Sequence, residues 1–68
     1  IRHLPLTHLR VFESASRAGS FRGAATELNL SPSAVSHAIR KLEYIVGTAL
    51  FERSGRTARL TQDGEALM

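Results

Sequence analysis

The chain has 68 residues, 43% of them hydrophobic, with no cysteine and a formal net charge of +3. That length fits one small domain with a modest core, a size that often relies on a partner subunit. Disulfides and thiolate metal sites are excluded, and no apolar run is long enough for a helical membrane span.

Eight of the nine basic residues are arginine, whose planar fork donates two hydrogen bonds at once to phosphate oxygens. A basic balance alone is a weak pointer, because many proteins share it. Residues Ile1 to Leu6 lack a signal-peptide pattern. The sequence opens at Ile1 and closes at Met68 inside what reads as a helix just begun. That is the expectation for a piece cut from a longer protein.

In chain order, Pro5 fixes the start of a first helix, and Thr7 caps it or sits in its first turn. Leu6, Leu9, Phe12 and Ser16, with Ala15 beside them, recur at helical spacing as a narrow apolar stripe. Gly19 follows as a left-handed C-terminal cap. Ser20 is placed to cap a second helix, Phe21 to Leu28, where Ala24 and Ala25 permit close helix approach. Gly23 costs this helix about 0.5–1 kcal/mol relative to alanine, unless a backbone or a phosphate comes close there. Asn29 and Leu30 form a tight turn, with Asn29 tolerating a left-handed backbone and Leu30 plugging the core.

Ser31 caps the third helix, and Pro32 takes its first position, where a missing N–H is harmless. Val35, Ala38, Ile39, Leu42 and Val46 form its apolar side. Ser33, Ser36, His37, Arg40 and Tyr44 fall in one opposite sector at about 100° per residue. Gly47 ends this helix. The period then changes, and Leu50–Arg53 and Thr57–Leu60 read as short strands around Ser54-Gly55-Arg56. Such a hairpin is unstable alone, so Leu50, Phe51 and Leu60 must pack on the helices. Arg53, Arg56 and Arg59 decorate it, Arg59 being as consistent with one face as with the other. Thr61 caps a last helix, with Asp63 and Glu65 near its positive end.

Two short helices joined by a tight turn, the second with a polar, basic face, form the pattern of a helix-turn-helix on DNA. An enzyme reading finds no arrangement of base, nucleophile and oxyanion donors. His37 has no second ligand at metal-binding spacing. His3 and His8 read as surface residues, and Arg2, Arg10 and Arg17 as a solvated helix face. Glu43 reads as structural, paired with a nearby arginine, because an acid at a DNA face would repel phosphate.

Leu9 and Phe12, Gly19-Ser20-Phe21, Ala24-Ala25, Leu28, Leu30-Ser31, Ala34-Val35-Ser36, Ile39, Leu42-Glu43, Gly47, Leu50-Phe51, Arg53, Leu60-Thr61 and Gly64 stand at a fixed spacing. In these residues, over nearly its whole length, the chain resembles the N-terminal DNA-binding domain of LysR-type transcriptional regulators. The resemblance implies a mainly α, winged helix-turn-helix fold: a three-helix core, a two-stranded β wing and the start of a linker helix. The DNA-binding domain is expected over 4–61, with the helix-turn-helix at 21–40 and the wing at 50–61. Residues 62–68 would begin a linker and dimerisation helix, and the C-terminal effector domain of full-length members is absent from this chain.

The implied partners are double-stranded DNA and a second copy of the chain through the linker helix, full-length members often forming tetramers. A small-molecule effector is implied only through the missing domain. No cofactor, metal or membrane partner is expected, and the implied location is cytoplasmic. Base contacts are carried over to Pro32, Ser33, Ser36 and His37, and phosphate contacts to Ser20, Arg22, Ser31, and Arg40 or Lys41. Arg53 and Arg56 would serve the wing, on phosphates or in the minor groove.

Three departures from the family pattern weaken direct readout. Many members carry glutamine where this chain has Pro32, which offers only an apolar contact such as one to a thymine methyl. Position 37 is often arginine, and His37 makes a shorter, single-point contact. Position 23 is often basic, and Gly23 removes that phosphate contact. More specificity is then left to DNA shape and to the spacing of two half-sites, about one helical turn apart or a multiple of it. The short last helix predicts weak self-association. A protein-interaction module and a non-specific architectural DNA binder stand as alternatives. The third helix opposes the former by exposing Ser33, Ser36, His37 and Arg40, with only Tyr44 suited to a protein partner.

Overall fold

The computed structural model describes residues 6–54 and 57–68, the side chains of Arg53 and Ser54 excepted. Its elements are α1 (Leu6–Ala18), α2 (Phe21–Leu28), α3 (Pro32–Val46), β1 (Phe51–Ser54), β2 (Thr57–Leu60) and α4 (Gln62–Leu67). Local capping chemistry sets these boundaries. Ser20 is extended, and its Oγ accepts the Gly23 N–H at 2.9 Å. Ser31 does the same for Ala34 at 3.1 Å, and Thr61 for Gly64 at 3.0 Å. Asn29 closes α2 in the left-handed region at φ 59°. Gly47 closes α3 at φ 81° and donates its N–H to the Glu43 carbonyl at 2.8 Å; a Cβ in that conformation would be strained.

The first three helices pack on one another, and β2 lies against α1. Val11, Phe12 and Ala15 of α1 meet Ala24 and Ala25 of α2 and Val35, Ala38, Ile39 and Leu42 of α3 in one buried cluster. Leu50, Phe51 and Ala58 complete it from the hairpin side. The Phe51 ring stands edge-on to Phe12 (centroids 5.5 Å apart) and to Phe21 (5.3 Å), a favoured arrangement of aromatic quadrupoles. A backbone bond from Ala58 N–H to the Gly19 carbonyl, 3.0 Å, ties β2 to the α1–α2 turn. The hairpin is antiparallel, in the register Phe51↔Leu60, Glu52↔Arg59, Arg53↔Ala58 and Ser54↔Thr57.

Several expectations change. The buried side of α1 runs through Val11, Phe12, Ser14 and Ala15, while Leu6 is 73% exposed. This helix is covered by α2, α3 and β2 together, so its buried surface is wider than one stripe, and Leu6 lies at its outer end. Leu30 is 40% exposed instead of filling the core. It stands just before the Ser31 cap, four positions after which comes buried Val35. That is the spacing of a hydrophobic staple, which fixes the angle of the incoming chain at the core's margin. His8 is half-buried, and its Nδ1 is buried without a hydrogen-bond partner. β1 begins at Phe51, one residue later than expected; Leu50 just before it donates its N–H to Glu43, and its carbonyl accepts the Thr61 N–H at 2.9 Å, which continues the register of the hairpin. Ser54 belongs to β1, paired with Thr57. Pro5, Gly55 and Arg56, with Arg2 and His3, lie outside the described residues.

Gly64 is buried where α4 crosses Leu50, and a Cβ there would stand 2.2 Å from the Leu50 carbonyl oxygen. Thr61 Oγ1 donates to the Ala49 carbonyl at 2.7 Å, and Thr48 Oγ1 to Asp63 Oδ2 at 2.7 Å. These bonds dock α4 on the α3–β1 connection.

Candidate nucleic-acid interface

The rotation of α3 is fixed by its core side: Val35, Ile39 and Leu42 are fully buried and Ala38 nearly so. Ser33, His37, Arg40, Lys41 and Tyr44 are consequently exposed, Ser36 is half-buried, and Pro32 is exposed at the helix start. Residues three and four apart on a helix are neighbours, so Ser33, Ser36, His37 and Arg40 share one patch. The helix thus presents two hydroxyls, an imidazole and a guanidinium on the side opposite the core.

Ser20 and Ser31 sit at the N-termini of α2 and α3, where aligned peptide dipoles favour an anion. Each hydroxyl oxygen accepts a capping N–H, which leaves its own hydrogen free to donate to a phosphate. Arg22, exposed in the first turn of α2, adds a cation beside this end. Gly23 has a packing role: a Cβ there would lie 2.9 Å from both Ala18 Cβ and Ser20 Oγ. The close approach is to side chains of the fold itself.

Glu13, Glu27 and Glu43 are engaged within the fold. Glu43, although on α3, is half-buried, and its carboxylate accepts the N–H groups of Leu50 (2.8 Å) and Phe51 (3.2 Å). Its role is structural, as the sequence indicated, and the partners that show it are backbone N–H groups where the sequence pointed to an arginine. Arg17, read from sequence as part of a solvated face, bridges two acids. Its Nη2 lies 2.9 and 2.8 Å from the Glu27 carboxylate oxygens, and its Nε 3.0 Å from Glu13 Oε2. Ser14, buried in α1, donates to Glu27 Oε1 at 2.5 Å. The Ser14 and Arg17 hydrogen bonds hold the Glu27 carboxyl below its ordinary value, and the Arg17 bond does the same for Glu13. Both carboxylates push Arg17 further upward. The Glu13–Arg17 half was visible as an i,i+4 pair; the Glu27 half joins residues brought together only by the fold.

On the wing, Glu52 and Arg59 face each other in register, and both are exposed. The contacts expected of the Arg53 and Arg56 side chains lie outside the described part of the structure. Among the described residues, no three His, Cys, Asp or Glu side chains come together as a metal site, and no helix is long and apolar enough to cross a membrane.

A three-helix core whose second and third helices meet at a tight turn, followed by an antiparallel two-stranded hairpin, defines a winged helix-turn-helix domain. The family described as bacterial regulatory helix-turn-helix protein, lysR family, matches residues 6–65. The chain belongs to the LysR family and is its helix-turn-helix DNA-binding domain. It is 60% identical over 63 residues to the HTH-type transcriptional regulator y4mQ of Sinorhizobium fredii, covering 93% of this chain and 21% of that protein. It is 58% identical over 64 residues to the HTH-type transcriptional regulator PerR of Escherichia coli, covering 94% of this chain and 22% of that one. The crystal structure of a CbnR DBD–DNA complex superposes with a TM-score of 0.90 at 32% identity, covering 93% of this chain and 72% of that one. The chain therefore spans about a fifth of the length of these two curated relatives.

Proposed function

We propose that this domain binds double-stranded DNA sequence-specifically and regulates transcription as a dimer or higher oligomer, by binding and not by catalysis. The observation that carries the reading is the exposed face of α3, where Ser33, Ser36, His37 and Arg40 stand opposite a buried apolar side with no acid facing outward among them. A helix of this kind fits the major groove, and short polar side chains near its start reach base edges. The DNA complex of the similar CbnR domain supports the same mode.

In this reading Pro32, Ser33, Ser36 and His37 contact bases. Ser20, Arg22, Ser31, Arg40 and Lys41 contact phosphates, and Arg53 and Arg56 extend the wing to the backbone or minor groove. Residues 4–61 act as the DNA-binding unit, while 62–68 begin the linker helix that pairs two copies. The setting is the cytoplasm, and any small-molecule effector acts through a further C-terminal domain.

The test is selection of bound sequences from a random duplex library at moderate salt, with the chain extended through its linker helix. An enriched palindrome with regularly spaced half-sites is the expected result. Binding without enrichment would favour an architectural role. Absence of binding even at low salt would favour a protein partner, since phosphate contacts strengthen steeply as salt falls.

A further inference from the structure

Pro32 opens α3 from a start that is fixed on both sides. Ser31 accepts the Ala34 N–H through its hydroxyl and the Val35 N–H through its carbonyl, each at 3.1 Å. Upstream, Leu30 donates its N–H to the Ala25 carbonyl at 2.8 Å, across the left-handed turn at Asn29. Val35 lies fully buried behind. The Pro32 ring is exposed, has no side-chain rotamer freedom to lose, and carries neither donor nor acceptor.

The polar groups nearest it in sequence discriminate bases poorly. Ser33 and Ser36 carry hydroxyls, which serve donors and acceptors alike, and His37 offers a single ring edge. A base-pair edge in the major groove presents one apolar group, the C5-methyl of thymine.

Resting on the DNA-binding reading above, we infer that Pro32 is a specificity-determining residue that selects a thymine in each half-site through its C5-methyl. The selection has two parts. Ring against methyl removes apolar surface from water. A G·C pair in the same place would press guanine O6 and N7, or cytosine N4, against a surface that cannot replace their water hydrogen bonds.

The experiment replaces each thymine of the selected half-site, one at a time, with deoxyuridine, which removes the methyl and keeps every hydrogen-bonding group. One position should weaken binding of the chain about three- to fivefold, the effect of one methyl returned to water. Pro32→Ala, which preserves a sound helix start, should bring the thymine-to-uracil ratio at that position toward one. The far-ultraviolet spectrum and the salt dependence of binding should stay unchanged. Sequence-selective binding that is indifferent to deoxyuridine at every position would overturn the inference, as would a ratio that persists in Pro32→Ala. Loss of all sequence selection is a separate result: it would overturn the DNA-readout proposal and the thymine inference with it.

Discussion

The carboxylate of Glu43 accepts the backbone N–H of Leu50 at 2.8 Å, and through the same oxygen that of Phe51 at 3.2 Å. The helix proposed to read DNA and the strand that starts the wing are thereby joined by an ionised acceptor. Hydrogen bonds to a charged group contribute about 1.5–3 kcal/mol, more than neutral ones. Glu43→Ala leaves two partly buried donors without this acceptor and is expected to lower stability by about 2–3 kcal/mol in urea denaturation. Glu43→Gln keeps an oxygen in place and should lose clearly less. Equal losses for the two variants would show that side-chain packing, and not the acceptor, is what Glu43 supplies.

Ser14 and Glu27 link α1 to α2 in a way that acid should undo. The Glu27 carboxyl is held below its ordinary value of 4.5, first by the Ser14 hydroxyl and then by Arg17. A depressed folded-state pKa stabilises the fold above the unfolded value, and the contribution is lost as pH falls through the folded pKa. Thermal midpoints should be insensitive to this pair above about pH 4.5 and decline below it. In Ser14→Ala the Glu27 carboxyl, followed by carbon NMR, should titrate closer to its ordinary value. An unchanged titration would remove Ser14 as the main cause.

Gly64 and Gly47 call for glycine for different reasons, and substitutions should separate them. A Cβ at Gly64 meets the Leu50 carbonyl oxygen at 2.2 Å, whereas at Gly47 nothing lies within 4 Å but φ is +81°. Gly64→Ala is expected to cost about 1–3 kcal/mol by overpacking backbone against side chain. Gly47→Ala should cost about 1–2 kcal/mol through backbone strain alone, and Gly47→Asn less, because asparagine tolerates the left-handed region. Asparagine at 64 should bring no such relief. Chemical denaturation of the four variants reads the difference; relief by asparagine at both positions would contradict the close-approach argument at Gly64.

What the sequence made legible was largely local. Caps at Ser20, Ser31 and Thr61, the left-handed Asn29 and the two-sided α3 follow from chemistry within four residues, and the structure reproduces each. The misses depend on distant segments. Ser14 lies outside the apolar stripe that the spacing gave α1, and it is buried where α2 brings Glu27 to it from thirteen residues away. The width of the buried side of α1 depends on three elements covering it, which a single periodic stripe does not encode. Leu30 is apolar like a core residue, yet its place before a cap leaves it 40% exposed. For the interface, the rotation of α3 was readable from Val35, Ile39 and Leu42, while the double bridging of Arg17 needed the fold.

Arg40 and His37 stand three residues apart on the exposed face of α3, and the proposed roles assign them different physics. A phosphate contact by Arg40 releases counterion on any sequence. Arg40→Ala should then weaken binding to selected and random duplexes alike and reduce the slope of log K against log salt by about 0.9 for one contact. A base contact by His37 depends on what it faces. His37→Ala should cost about 0.5–1.5 kcal/mol on the selected half-site, the worth of one hydrogen bond, little on random DNA, and leave the salt slope in place. Titrations of both variants on both duplexes at several salt concentrations measure all of these quantities together. Uniform loss with a reduced slope for His37→Ala would move that residue to the phosphates. Base-dependent loss for Arg40→Ala would place the guanidinium in the groove, where it could read guanine.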